Sequence, residues 1–129
     1  MEIDMFKAFA MIKRKPGTTM EQLIAHYESS HAPLAVKSVP NLKKYVRNFI
    51  RPYGNDVYSL DAELPYDVIT EIWFDDRDDF EKGMAYLIEP ETAAAIAEDE
   101  ERLFDRSSIR FVTVEDHESE LGKGYTSKN

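Results

Sequence analysis

The stretch Tyr66-Asp67-Val68-Ile69-Thr70-Glu71-Ile72-Trp73-Phe74 predicts a β-strand, because β-branched and aromatic side chains fill most of its positions. Successive side chains of a strand point to opposite faces of its sheet. One face therefore carries Val68, Thr70, Ile72 and Phe74, and the other carries Asp67, Ile69, Glu71 and Trp73. Glu71 thus shares a face with Trp73 in a strand that is otherwise composed for burial.

The chain on either side of this strand predicts three further strands and three helices. The strands are Met5–Lys13, Leu42–Arg51 and Ile109–Asp116, and the helices are Thr19–Ser30, Asp75–Leu87 and Glu89–Phe104. Their order contains two strand-helix-strand units, which is typical of the split βαβ arrangement. We therefore expect an α+β, ferredoxin-like domain with a four-stranded antiparallel sheet and helices on one face.

The uncovered face of such a sheet would expose a large apolar patch, and patches of this kind mark association sites. We therefore expect a homodimer that forms through the open sheet face. RNA-recognition modules share this topology, but they need stacking aromatic and basic residues on the central strands. Asp67 and Glu71 stand on the central strand here, so this function is excluded.

Composition fits one globular domain, since 43% of the 129 residues are hydrophobic and 12% are aromatic. We expect residues 1–117 to form the domain and residues 118–129 to form a polar tail. The absence of cysteine excludes disulfides and thiolate metal sites and favours a cytoplasmic location. No apolar run reaches the roughly 20 residues that span a membrane, and no secretion signal begins the chain.

Charge argues against nucleic acid as a partner, because the formal net charge is -9. The acidic residues crowd into 75–81 and 98–101, which we interpret as solvated helix surfaces. Residues 29–55 contain no acid but several basic residues, namely Lys37, Lys43, Lys44, Arg47 and Arg51. They are interpreted as a charged strand edge in preference to a positive rim for an anionic substrate.

The first helix begins after Pro16-Gly17, and Thr18 with Glu21 fits a capping box. Pro33 disfavours helical geometry at Ala32, so we expect the helix to end there and His31 to stand where helix meets loop. Loops on a rigid scaffold often carry binding and catalytic groups.

The helical periodicity separates the two histidines of this region. His31 extrapolates to within about 30° of the apolar face, whereas His26 lies about 110° away, at the helix edge or in solvent. Their spacing argues against a shared metal ion. His31 is equally well explained as a buried, hydrogen-bonded packing residue.

The connection 52–65 is long, polar and rich in turn residues. Connections of this length without secondary structure are often lids or binding loops. Contact with a partner subunit explains it as well.

Four segments together resemble the EthD family of the dimeric α+β barrel superfamily. They are Phe6–Gly17, His26-Tyr27 followed by His31-Ala32-Pro33-Leu34, Leu42–Asn48, and Asp67 with Glu71–Asp75. The resemblance covers about residues 6–117 and departs from the usual spacing in the long loop after Pro52. Tyr27 stands where the family commonly has tryptophan.

The resemblance implies two sheets packed back to back across a dimer, with a pocket between sheet and helices in each subunit. Relatives include proteins linked to ether degradation, dehydratases, polyketide cyclases, lactone isomerases and cofactor-free monooxygenases. Their histidine corresponds to His31. The cysteine of some lactone-isomerising relatives falls at Ile72, which speaks against that chemistry here.

These residues suggest general acid-base catalysis, without a cofactor or metal, on a small apolar oxygenated molecule: an aromatic, lactone or polyketide-like compound. The catalytic candidates are His31, Glu71 and Tyr45, and the substrate-binding candidates are Tyr27, Asn48, Trp73 and His26. Glu71 would orient His31 or act as a second acid-base group, although pairing with a cross-strand Lys or Arg explains it as well. Tyr45 or Tyr27 would donate to an oxyanion, and Asn48 would orient the substrate.

Two other functions stay open at this point. His31 could be an axial haem ligand, or the protein could bind a ligand as a non-catalytic accessory of a degradation pathway. Nothing supports a role for His117. The sequence contains no phosphate-binding loop, dinucleotide fingerprint, nucleophile elbow or zinc motif.

Overall fold

The computed structural model describes residues 5–61 and 63–122. Four strands, four α-helices and one π-helical turn follow in the order expected for a split βαβ fold. They are β1 (Phe6–Arg14), α1 (Met20–His26), the π-turn (Tyr27–His31), α2 (Ala32–Ser38), β2 (Lys44–Phe49), β3 (Val68–Phe74), α3 (Arg77–Leu87), α4 (Pro90–Leu103) and β4 (Phe104–Thr113).

The four strands form one antiparallel sheet in the order β2-β3-β1-β4. Glu71 at the centre of β3 pairs with Val46 of β2 and with Phe9 of β1, which pairs in turn with Val112 of β4. Each central strand is thus followed by a helical crossover to an edge strand, β1 to β2 and β3 to β4, as the two strand-helix-strand units of the sequence predicted. The α+β, ferredoxin-like fold is confirmed.

The helices cover one face of the sheet, which we call the inner face. In β3 this face carries Val68, Thr70, Ile72 and Phe74, all buried as the alternation predicted. Their neighbours from the helices form the core and include Leu23, Tyr27, Val39, Phe80 and Leu103. The opposite, outer face carries partly exposed apolar side chains: Phe9, Met11, Val46, Ile69, Trp73 and Val112.

The first helix begins one residue later than the sequence predicted. Thr19, not Thr18, is the N-cap, and its hydroxyl accepts the backbone N–H of Gln22 at 3.1 Å. The Gln22 side chain accepts the Thr19 N–H at 2.9 Å, so glutamine replaces the predicted Glu21 in the capping box. The sequence correctly predicted a capping box but placed it one residue too early.

The prediction that the chain leaves the helix at Ala32 was wrong. Ala32 is helical, with φ -63° and ψ -46°, and the chain stays helical to Ser38. A proline inside a helix lacks an N–H and its ring crowds the carbonyl four residues earlier. Here the preceding residues widen into a π-turn, in which the Ala32 N–H donates to the Tyr27 carbonyl. The wider turn accommodates Pro33, and π-turns are frequent at functional sites.

The remaining boundaries differ modestly from expectation. β4 begins directly after α4, at Phe104, five residues before the predicted Ile109. Residues 118–121 have no regular secondary structure and Gly122 lies in a turn, while the rest of the predicted tail lies outside the described residues. In the described part of the chain, no helix is long and apolar enough to cross a membrane.

Candidate active site

A cavity of about 150 Å³ lies between the inner face of the sheet and the helices. Every strand contributes to its wall, as do the π-turn, α2, α3 and α4. Most of the lining is apolar: Ala10, Ile12, Ala35, Val39, Leu42, Ile72, Leu87, Ile96, Ile109 and Phe111. The polar lining residues are His31, Tyr27, Tyr45, Thr70 and Glu100. An apolar lining with a few convergent polar groups is typical of a ligand site.

The π-turn places the His31 imidazole in this wall, where only 6% of the residue is exposed. Two aromatic rings hold the imidazole edge-on. Its centroid lies 5.1 Å from that of Tyr27 and 5.2 Å from that of Phe104, with interplanar angles of 86° and 81°. Such T-shaped pairs fix the ring plane as well as burying it. The sequence correctly predicted that His31 faces the core.

Asp99 of α4 holds the imidazole from behind. Its Oδ2 lies 2.9 Å from His31 Nδ1, and its Oδ1 accepts the Ser30 hydroxyl at 2.8 Å. Asp99 is only 4% exposed, and a buried carboxylate needs such partners. Because an ionised carboxylate can only accept hydrogen bonds, we assign the proton of this hydrogen bond to Nδ1.

This tautomer leaves Nε2 as the free nitrogen of the neutral imidazole. Among the described residues, no side chain or backbone group is hydrogen-bonded to Nε2 of His31. Every fully buried side-chain nitrogen and oxygen in that part of the chain has a hydrogen-bond partner. Because Nε2 has no such partner, it is not fully buried, and His31 is one of the residues that line the cavity.

Three hydroxyl groups form a second polar cluster in the cavity. The Tyr27 hydroxyl lies 2.7 Å from Thr70 Oγ1 and 3.1 Å from the Tyr45 hydroxyl. Each hydroxyl has one proton to donate. The two hydrogen bonds within the cluster use two of the three protons, so one O–H remains to donate to a molecule in the cavity.

Burial keeps both phenols protonated. It raises the pKa of Tyr27, although hydrogen bonds from Thr70 and Tyr45 oppose this. Burial also raises the pKa of Tyr45 strongly, and the neighbouring Tyr27 adds to the effect. The cluster therefore acts as a hydrogen-bond donor and not as a base.

Glu100 is the third polar feature of the cavity wall. Its side chain is 19% exposed, and Oε1 accepts a hydrogen bond from Nε of Arg106 at 3.3 Å. Burial raises the pKa of Glu100, and the charges of His31 and Arg106 partly oppose that rise. Glu100 and His31 both line the cavity.

The sequence reasoning missed Asp99 and Glu100, which it assigned to a solvated helix surface. A signal for both was present. They lie three and four residues after Ile96 and four and three residues before Leu103, so they share the apolar face of α4. A carboxylate at a core position of an amphipathic helix needs a hydrogen-bond partner, and His31 is the partner of Asp99 here.

Glu71, Asn48 and Trp73 lie on the outer face, apart from His31. The Glu71 carboxylate accepts hydrogen bonds from Asn48 Nδ2 and from Trp73 Nε1, both at 2.9 Å. The expectation that Glu71 orients His31 is corrected, because Asp99 has that position. The sheet lies between the two groups, since Glu71 alternates with the inward-facing Thr70 and Ile72.

The other predicted features lie outside the cavity. His26 is partly exposed on α1, and none of the described residues of the 52–65 connection lines the cavity. The basic run does not form one rim. Arg47 pairs with Glu28 of the π-turn, with Nε 2.8 Å from Oε2, whereas Lys44 lies over the Trp73 ring on the outer face.

Comparison with known proteins identifies the family. The chain matches the EthD domain over residues 15–107, which is more than half its length. The protein therefore belongs to the EthD family. No curated protein matches the chain.

Solved structures with this fold extend over nearly the whole chain. An EthD family protein from Bacillus halodurans has 20% identity and a TM-score of 0.60, with 88% of this chain and 100% of that chain covered. HapK from Hahella chejuensis has 16% identity and a TM-score of 0.54, covering 95% and 98%. A dimeric ferredoxin-like protein of unknown function from a Jannaschia species has 17% identity and a TM-score of 0.53, covering 88% and 100%. At these identities the likeness shows the fold.

Proposed function

We propose that the protein is an enzyme in which His31 acts as general base and acid on a small, largely apolar, oxygenated molecule. The observation that carries the proposal is the pairing of His31 Nδ1 with the buried Asp99, in a residue that lines the cavity and whose Nε2 has no hydrogen-bond partner among the described residues. A histidine that served only to fill the core would not need an accessible nitrogen.

The proposed first step is a proton transfer. Nε2 takes a proton from a carbon next to a carbonyl group, and the C–H electron pair forms a C=C bond while the carbonyl π pair moves onto the carbonyl oxygen. Where the proton comes from a hydroxyl, the O–H electron pair stays on that oxygen as an alkoxide. The free O–H of the Tyr27, Tyr45 and Thr70 cluster donates to the developing oxyanion. The imidazolium then returns the proton at another atom, or to a leaving hydroxyl.

Asp99 has two tasks in this scheme. It holds the imidazole in the productive tautomer, and its charge stabilises the imidazolium that forms after proton abstraction. Carboxylates have this role behind the histidine of serine-protease triads. Asp99 acts through His31 and is therefore a positioning residue.

The proton transfer is the step shared by dehydration, cyclisation and double-bond isomerisation next to a carbonyl. We propose that it proceeds on the residues of the cavity without a bound cofactor. Haem does not fit the cavity as described, because a porphyrin exceeds the drug-sized ligands whose pockets measure about 300–1,000 Å³, whereas this cavity measures about 150 Å³.

We further propose that two copies associate through the outer face. The apolar side chains of that face would otherwise stay in contact with water, and such patches mark association sites. The related ferredoxin-like protein from Jannaschia is described as dimeric. The Glu71, Asn48 and Trp73 contacts would then lie at the subunit interface and not at a catalytic site.

A test of the function compares wild-type protein with His31→Gln and His26→Gln. Small ketones, lactones and phenols are screened for binding by thermal shift, and the compounds that bind are followed for turnover without added cofactor. We expect turnover with wild type and His26→Gln and a loss of about 10²-fold or more with His31→Gln. Ligand binding without turnover in any of the three proteins would identify a non-catalytic binding protein, and equal turnover in all three would contradict the assignment of His31 as the acid-base group.

A further inference from the structure

We propose that the His31 cavity selects uncharged molecules with a single ring and that Glu100 is the specificity-determining residue that excludes carboxylates. This inference rests on the proposed function, because it names the substrate class of the same site.

The size of the cavity sets the first limit. Its volume of about 150 Å³ equals that of an engineered apolar cavity of about 150 Å³ that binds benzene. One six-membered ring with one or two small substituents therefore fills it. We expect a fused two-ring compound to be too large for a cavity of this volume.

The charge of the wall sets the second limit. Among the described residues that line the cavity, none is lysine or arginine, whereas Glu100 is one of them. The second carboxylate, Asp99, lies directly behind His31. A protonated His31 would be the only cation among the described residues that line the cavity, because Arg106 and Arg102, which contact these two carboxylates, are not part of its wall.

The nearby arginines are already paired with carboxylates. Arg106 contacts Glu100 and Glu101, both at 3.3 Å, and Arg102 contacts Glu98 at 2.8 Å. An anion in the cavity would have to compete with these carboxylates for a countercharge. It would also lose its hydration without new hydrogen-bond donors beyond the hydroxyl cluster and His31.

Glu100 lies where its charge can distinguish a carboxylate ligand from an uncharged one. Its side chain belongs to the cavity wall and is largely buried, so solvent screens its charge poorly, and Arg106 at 3.3 Å offsets only part of that charge. A carboxylate ligand beside an ionised Glu100 would meet like-charge repulsion, which is a strong basis for rejecting a ligand. A ketone of the same shape would meet none and could accept the free O–H of the hydroxyl cluster.

Acetophenone and benzoate are the matched probes, since they have the same number of non-hydrogen atoms and nearly the same shape. Each is titrated at neutral pH into wild-type protein, Glu100→Gln and the exposed-site control Glu98→Gln. Binding is followed through the NMR signals of the His31 imidazole and of the cavity-lining backbone. Acetylnaphthalene tests the size limit in the same way.

We expect wild type to bind acetophenone and to bind benzoate at least about tenfold more weakly, because like charges would be brought together. Glu100→Gln should narrow that gap severalfold, and Glu98→Gln should leave it unchanged. Acetylnaphthalene should cause no cavity shifts. Equal binding of benzoate and acetophenone, or a gap that Glu100→Gln leaves intact, would overturn the proposal, as would a failure of acetophenone to bind.

The readout is binding, so this test is separate from that of catalysis. If acetophenone binds selectively and no compound is turned over, the proposed function fails and the selectivity stands. If turnover depends on His31 but benzoate binds as well as acetophenone, the selectivity fails and the function stands. The comparison of the two ligands on wild type needs no variant, so it holds even where a substitution disturbs folding.

Discussion

Asp99 Oδ2 and His31 Nδ1 lie 2.9 Å apart, although the two residues are 68 positions apart in the chain. Both side chains are buried. A pair of this kind fixes the orientation of the imidazole and determines which nitrogen carries the proton. The stability and the acid-base behaviour expected of the site depend on this hydrogen bond.

Replacing Asp99 with asparagine should destabilise the protein and release the imidazole from one tautomer. A hydrogen bond to a charged group contributes about 1.5–3 kcal/mol, so the free energy of unfolding in urea should fall by about that amount. Nitrogen-15 NMR of His31 should show a single tautomer, protonated at Nδ1, in wild type and a mixture in Asp99→Asn. The exposed neighbour Glu98→Gln should change stability by less than about 0.5 kcal/mol. An unaltered tautomer in Asp99→Asn would contradict the assigned role.

Tyr27→Phe should cost more stability than Tyr45→Phe. The Tyr27 hydroxyl is the centre of the cluster, so its loss leaves both Thr70 and Tyr45 without these partners. Leaving buried polar groups unsatisfied costs about 1–3 kcal/mol, whereas Tyr45→Phe keeps the Tyr27–Thr70 bond. Chemical denaturation measures both, with the exposed Tyr53→Phe as control. A larger loss in Tyr45→Phe would place the centre of the cluster elsewhere.

Glu100 and Glu28 should affect the pH dependence of stability with opposite signs. Burial raises the pKa of Glu100 in the folded protein, so its contribution is fully present below the usual value of 4.5 and is lost as pH rises through the higher folded pKa. Arg47 lowers the pKa of Glu28, so its contribution is present above 4.5 and is lost as pH falls through the lower folded pKa.

Relative to wild type, Glu100→Gln should therefore gain melting temperature from acid to neutral pH, and Glu28→Gln should lose it. Thermal denaturation across that range measures both differences. A pH-independent difference for Glu100→Gln would show that its carboxyl is not perturbed by burial.

Phe9→Lys on the outer face should convert the proposed dimer into a monomer. A lysine at the centre of that face would place an unpaired charge in the interface, which is strongly unfavourable. The control is Ile88→Lys, at the end of α3, where the residue is 79% exposed. Light scattering after size-exclusion chromatography reports the mass. A dimer that survives Phe9→Lys would mean that another surface joins the subunits.

The fold was predictable from the sequence because its strands and helices have strong periodic patterns. The alternation in residues 66–74 correctly separated the inner face from the outer one. It could not show that the helices cover the side of Thr70, since both faces of the strand carry large apolar side chains. For that reason the sequence correctly placed Glu71 and Trp73 on the same face of the strand. It wrongly assigned them to a site that lies on the opposite face.

The candidate site was predictable only in part. His31, Tyr27 and Tyr45 were identified and the structure brings them to one cavity. The π-turn was missed because the rule for a residue before proline describes the local backbone, whereas the packing of Tyr27 and His31 against the core outweighs it here. Asp99 was missed because its partner lies 68 positions away, beyond the reach of any local pattern.

The most direct test of the central claim is proton exchange on a ligand in the cavity. Acetophenone is incubated in D₂O with wild type, His31→Gln or His26→Gln, and NMR follows the loss of its methyl protons. We expect wild type and His26→Gln to accelerate exchange equally and His31→Gln to be slower by at least about 10²-fold, the usual contribution of a positioned acid-base group. Equal rates in wild type and His31→Gln would contradict the assignment of His31 as the general base.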